Sequence, residues 1–296
     1  MLRLFFVLQG SIVPAIAPKL AVIAVVATAV AWFGARHPGC FAGVPLTPFT
    51  LLGISLSIFL GFRNNACYDR WWEARKLWGQ LIHEMRSLAR TTTVLLAAEP
   101  ETVRRTVRRA IAFPQALAAR LRGEDLGAAV RPWLSAEEAG AIMARRNPTN
   151  ALVDALGAEY AGALRRGLIG EMLFATFEAR LAGLAGIQAG CERILTTPLP
   201  FAYSLLLHRT AFLFCGLLPF ALADALGWGT PLATAIIAYA FFGLDALGDE
   251  LEDPFGLTQN DLPLQAMARV IEIDLRDALG ETDLPAPLAP VRHVLQ

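Results

Sequence analysis

The chain has 296 residues, 55% of them hydrophobic and 18% charged, with a mean hydropathy of +0.47. That is too apolar for an ordinary soluble domain and too charged for a chain wholly inside a membrane. Both are excluded in favour of membrane spans joined to a substantial aqueous part. The formal charge is zero but unevenly spread: 19 of 26 Lys and Arg lie between Arg63 and Arg193, and 11 of 26 Asp and Glu between Asp245 and Asp283. A basic middle and an acidic tail can complement each other within one aqueous domain. No base-reading or RNA-binding motif supports a nucleic-acid partner.

In chain order, MLRLFFVLQGSIVPAIAPKLAVIAVV at 1–26 superficially suggests a signal peptide. Pro14, Pro18 and Lys19 interrupt its apolar stretch and no clean cleavage site ends it, so it reads as retained. Four apolar runs follow: Leu20–Ala35, Leu46–Phe62, Leu205–Leu226 and Pro231–Leu244, with GWGTP at 227–231 turning between the last two. Most are shorter than the roughly 20 residues of a full span, which suits helices that line an aqueous path or continue beyond the membrane. An even number of spans puts both chain ends on one side, and the basic middle marks that side as cytoplasmic.

The second run carries two neighbouring stripes at four-residue spacing: Ile54, Ile58 and Phe62, and beside them Gly53, Ser57 and Gly61. In a membrane, small residues at that spacing let helix backbones approach closely. Copies packed through the small stripe would point the bulky one inward as three apolar rings, and such a constriction can gate by dewetting. The plainer alternative is that Ile54, Ile58 and Phe62 face lipid or another helix. Beyond Phe62, the apolar run ends in Arg63, Asn64 and Asn65. Tyr68, Trp71, Trp72 and Trp78 then read as an interfacial belt, with snorkelling arginines and local pairs of Glu73 with Arg70 and Lys76.

Residues 63–200 read as helical and aqueous. ETVRRTVRRAIAF at 101–113 places Val103, Val107, Ala110 and Ile111 on one face, opened by Pro100 and Glu101. A polar stretch at 122–140 reads as loop and short helices, and 149–190 as one long Ala/Leu/Gly-rich segment. In the last two runs and at their ends, His208, Arg209 and Asp245 are intramembrane ionisable groups, for which snorkelling or an Arg209–Asp245 pair is expected. The tail from 248 reads as loop, then as an amphipathic helix over 265–280 stopped by Gly280. Cys40, Cys67, Cys191 and Cys215 have neither disulfide nor ligand spacing, and HExxH, GxSxG, GxGxxG and Walker motifs are absent. Neither an enzyme nor a cofactor is expected.

RNNACYDRWWEARKLWGQL at 63–81 resembles the signature of the bestrophin family, especially its bacterial branch. GSI at 10–12, PLPFAY at 198–203, GDELEDPFG at 248–256 and the following NDLPL agree, in family order and across most of the chain. The resemblance implies an all-α integral membrane protein. Four transmembrane helices per subunit and a large cytosolic helical domain assemble as a homopentamer around one axial pore. The implied divisions are 1–62, 63–200, 201–247 and 248–296. It implies a pore neck lined by Ile54, Ile58 and Phe62 and packed through Gly53, Ser57 and Gly61. Arg63, Asn64 and Asn65 then lie where the path widens, with Trp71 and Trp72 at the membrane interface, and Leu199 before Pro200 forms a cytosolic aperture.

In the animal branch of the family, calcium is held by carboxylates at positions that are Thr258 and Asp261 here. With one carboxylate replaced by a hydroxyl, the expectation is no metal and no calcium activation. Animal relatives conduct chloride and bacterial ones monovalent cations. The bacterial-type signature therefore leads to the expectation of monovalent cations, with an anion channel or a non-conducting scaffold as alternatives. The expected partners are further copies of the chain, lipid and permeant ions, in the inner membrane.

Overall fold

The computed structural model describes residues 10–291, so both chain ends, expected on one side of the membrane, lie outside the described residues. Ten α-helices are present among them: α1 (Val13–Arg36), α2 (Leu46–Leu95), α3 (Pro100–Arg122), α4 (Leu126–Val130), α5 (Ala136–Met143), α6 (Pro148–Arg165), α7 (Glu171–Thr196), α8 (Phe201–Leu226), α9 (Thr230–Glu252) and α10 (Leu264–Ala278). Two compact units result. One comprises residues 1–71 and 198–253; the other comprises 72–197 and 254–296.

In the first unit, α1, the first half of α2, α8 and α9 share one apolar core. Ile16 and Ile23 of α1 and Leu56 and Leu60 of α2 pack with Phe214 of α8 and Phe242 of α9. Phe214 meets Phe241 edge-on at 5.1 Å between ring centroids. At Gly53 a Cβ would lie 3.1 Å from the Phe214 ring, so α2 and α8 approach closely through a missing side chain. Among the described residues, three stretches are long and apolar enough to cross a membrane: α1, α2, and the 52 residues Phe201–Glu252. The last contains two helices. Gly227, at φ 50°, opens a 3-10 turn over Gly227–Gly229, and Pro231 starts α9. The contact of Phe214 with Phe241 shows that the chain reverses there, as GWGTP predicts.

The second unit is built around α3, which packs against α4, α6 and α10, while α6 packs against α7. Val103, Val107, Ala110 and Ile111 of α3 are buried, as the 3.6-residue period predicts. The helix runs further than the sequence window, through a buried Pro114 to Arg122, and ends where Gly123 takes φ 67°. The stretch read as one segment over 149–190 is two helices, because Gly167 at φ 73° breaks it and Gly170 caps the second. Between α3 and α6, two short helices start where Asp125 and Ser135 accept the N–H groups of Ala128 and Glu138. Basic helices and acidic tail do meet within this unit, in Arg86–Asp274 at 2.7 Å and Arg108–Glu281 at 3.9 Å.

Two buried polar links set the geometry of this bundle. The Tyr160 hydroxyl lies 2.6 Å from that of Thr92, under a stacked Tyr160–Phe177 ring pair 4.0 Å apart. Glu159 takes Arg105 at 2.7 and 3.0 Å and Arg109 at 2.7 Å, and Arg109 also pairs with Glu138. Burial alone would raise the Glu159 pKa, but the two guanidinium groups outweigh it and hold the carboxyl below the ordinary glutamate value.

A carboxyl depressed in the folded state adds stability that is complete above its unfolded pKa and is lost as pH falls through the folded one. Glu159→Gln therefore costs about 1–2 kcal/mol at neutral pH. In thermal unfolding of the detergent-solubilised protein, the gap between variant and wild type narrows as the pH falls below the ordinary glutamate range and through the depressed Glu159 pKa.

Candidate functional site: an apolar helix face and a buried charge cluster

Helix α2 presents two opposed faces within the first unit. Leu56 and Leu60 are buried against α1, α8 and α9. Residues two apart lie about 200° apart around a helix, so Ile54, Ile58 and Phe62 fall on the far side. Their exposures are 55%, 51% and 61%: the described helices leave this apolar stripe uncovered. The small stripe divides. Gly53 is used within the chain, against Phe214. The Ser57 hydroxyl donates to the Gly53 carbonyl at 2.8 Å, and a Cβ on Gly61 would meet nothing within 4 Å.

The buried stripe continues from Leu60 to Arg63 and Cys67, so Arg63 stands in phase with the core. Its guanidinium is 1% exposed. Nη1 donates to the carbonyl and the Oδ1 of Asp245 at 3.1 and 3.2 Å, and Nη2 to Asp249 Oδ1 at 2.5 Å and Glu252 Oε2 at 3.3 Å. The three acids are spaced four and three apart on α9, which places them on one face of that helix. Asp245 is itself buried, with His208 Nδ1 at 2.7 Å and Lys19 Nζ at 3.9 Å. Room for the guanidinium comes from Gly248, where a Cβ would fall 2.7 Å from Asn64 Oδ1 and 2.9 Å from Arg63 Nη1.

Two expectations are corrected here. Arg63 does not snorkel into water: it is buried on the core stripe, while Asn64 is half-buried and Asn65 exposed. Nor is Arg209 the partner of Asp245. One residue step turns a helix about 100°, so His208 meets Asp245 while Arg209 faces outward. The Trp belt also divides. Trp71, half-buried, stacks on Tyr68 at 6.3 Å between centroids; Trp72 is exposed; Trp78 is fully buried. Glu73 pairs with Arg193.

Leu199 is half-buried and Pro200 exposed, immediately before α8. The Leu199 N–H donates to Glu252 Oε1 at 3.1 Å. In the first turn of α8, the Tyr203 hydroxyl donates to the Phe59 carbonyl of α2 at 3.1 Å. In the tail, Asp261 Oδ2 accepts the Thr258 N–H at 2.6 Å, so that carboxylate braces its own loop. The sequence reading singled out His208 without pairing it with Asp245, and it missed Glu252. The signal for Glu252 was the spacing of Asp245, Asp249 and Glu252.

The fold and site define a class: an all-helical protein with helices suited to a membrane, whose α2 combines an uncovered apolar stripe with a buried arginine. The profile of bacterial and fungal bestrophin proteins matches residues 1–277, and the chain belongs to the bestrophin family. It is 48% identical over 283 residues to a voltage-dependent anion channel-forming protein of Mesorhizobium japonicum, covering 95% of this chain and 90% of the relative. It is 41% identical over 292 residues to a voltage-dependent anion channel-forming protein of Escherichia coli, covering 99% and 96%. A crystal structure of a bacterial bestrophin homolog from Klebsiella pneumoniae superposes with a TM-score of 0.86 at 40% identity, covering 90% of this chain and 99% of that one.

Breaking a buried charge cluster by removing one member strands the others. Arg63→Ala destabilises the protein by about 3–5 kcal/mol. Gly248→Ala costs about 1–3 kcal/mol by overpacking against the guanidinium. Both are read as loss of the unfolding midpoint in detergent, and a midpoint unchanged in both variants contradicts the role given to Arg63.

Proposed function

We propose that the chain is one subunit of a homopentameric, passive ion channel of the bestrophin type. Four helices, α1, α2, α8 and α9, cross the inner membrane, and both chain ends lie in the cytoplasm. The observation that carries this reading is the Ile54–Ile58–Phe62 stripe, large and apolar yet uncovered by the chain itself. In the proposed assembly, α2 from each subunit lines a neck with this stripe. The rings of side chains leave a passage that empties of water when narrow, so conduction stops without a plug. Leu199, held beside Pro200, is a second apolar constriction on the cytosolic side.

Wholly apolar constrictions carry no fixed charge, so the sign of the permeant ion is set by other groups along the path. The monovalent-cation expectation rests on the bacterial-type signature alone. The names of the relatives at 48% and 41% identity favour the anion alternative, and the reading adopted is therefore an anion channel. Calcium is no part of gating in this reading: Thr258 offers one neutral hydroxyl, and Asp261 is engaged with the Thr258 N–H.

Purified protein in planar bilayers under a sodium chloride gradient reverses near the chloride equilibrium potential; reversal near that of sodium restores the cation reading. Leu199→Ala and Ile58→Ala each raise conductance or open probability by relieving dewetting, and unchanged currents in both variants remove these residues from the gate. A steep micromolar calcium dependence overturns the calcium-independent part.

A further inference from the structure

We propose that Glu252 is a positioning residue for the Leu199 constriction, tying it to the neck helix through one carboxylate. This rests on the reading of Leu199 as an aperture. One oxygen of Glu252 accepts the Leu199 N–H at 3.1 Å and the other accepts Arg63 Nη2 at 3.3 Å. Arg63 directly follows Phe62 of the apolar stripe. A single side chain thus contacts the residue next to one proposed constriction and the backbone of the other.

Three features set this contact apart from an ordinary surface bond. Leu199 lies between Pro198 and Pro200, and neither proline has an N–H. In that tripeptide the Leu199 amide is the one backbone donor available to fix the segment, and Glu252 takes it. Next, Glu252 is the last residue of α9, where the helix macrodipole disfavours a carboxylate. Cations compensate: Arg63 on its side chain, and Arg70 Nε donating to its carbonyl at 3.2 Å. A local rule broken and then compensated marks a residue kept for position. Finally, Arg63 is locked by Asp245 and Asp249, so the Glu252 carboxylate is anchored at the neck end and transmits displacement of α2 to Leu199. Motion that dilates the neck around Phe62 therefore moves the Leu199 aperture with it.

The test combines amide exchange with a double-mutant cycle on the full-length channel. Glu252→Ala speeds exchange of the Leu199 N–H by roughly tenfold to a hundredfold, as loss of a hydrogen bond to a charged acceptor requires. It shifts open probability by roughly fivefold in the wild-type background and leaves it nearly unchanged in Leu199→Ala, because the group being positioned is gone. Glu252→Gln keeps the acceptor for Leu199 and weakens the hold on Arg63; its smaller shift is likewise absent in Leu199→Ala. This variant carries the cycle if Glu252→Ala does not assemble. Equal shifts in both backgrounds, or Leu199 exchange unchanged by Glu252→Ala, overturn the proposal and leave the Leu199 aperture standing. A Leu199→Ala channel indistinguishable from wild type removes the aperture itself, and the proposal with it.

Discussion

The buried guanidinium of Arg63 is the constraint from which the arrangement of the first unit follows. A charge taken out of water must be met by opposite charge and by hydrogen bonds, or the fold around it fails. Asp245, Asp249 and Glu252 meet it from one face of α9, and His208 and Lys19 meet the far side of Asp245. Four helices thereby converge on one cluster, since Lys19 lies on α1, Arg63 on α2, His208 on α8 and the acids on α9. Apolar packing between helices in lipid is poorly directional, because the surroundings are as apolar as the helices. The cluster supplies the direction. It fixes the rotation of α2, and that rotation decides which stripe is left outside.

The opposed faces of α2 are one fact seen twice. With Leu56, Leu60 and Arg63 turned to the chain's own core, Ile54, Ile58 and Phe62 have no covering helix among the described residues. A stripe of this kind suits a helix surrounded by copies of itself, the arrangement proposed above. Beyond the stripe, α2 continues without interruption to Leu95 and contributes its second half to the other unit, whose core is organised by α3.

The helices with a strong period were legible in the sequence: α3 from Val103, Val107, Ala110 and Ile111, and the α8–α9 reversal from GWGTP. The break between α6 and α7 was not, because Gly167 in an Ala/Leu/Gly-rich run differs from its neighbours only in a positive φ that composition does not report. In the candidate site the apolar stripe was legible as a pattern, but its direction was not. Arg63 was misplaced because its partners lie more than 180 residues away, and a charged residue after an apolar run looks interfacial. Its phase with Leu56 and Leu60, and the spacing of the three acids, were the signs that it points inward. The Asp245 partner was missed by one position, a 100° error around α8, which an estimate based on sequence proximity cannot resolve.

The central claim is that the uncovered stripe of α2 is closed by other copies of the chain around a common axis. Its most direct test is the mass of the purified protein in detergent, by light scattering with the detergent contribution subtracted. The account predicts five times the 32.0 kDa of one chain. A monodisperse monomer contradicts it, since one α2 cannot enclose a path.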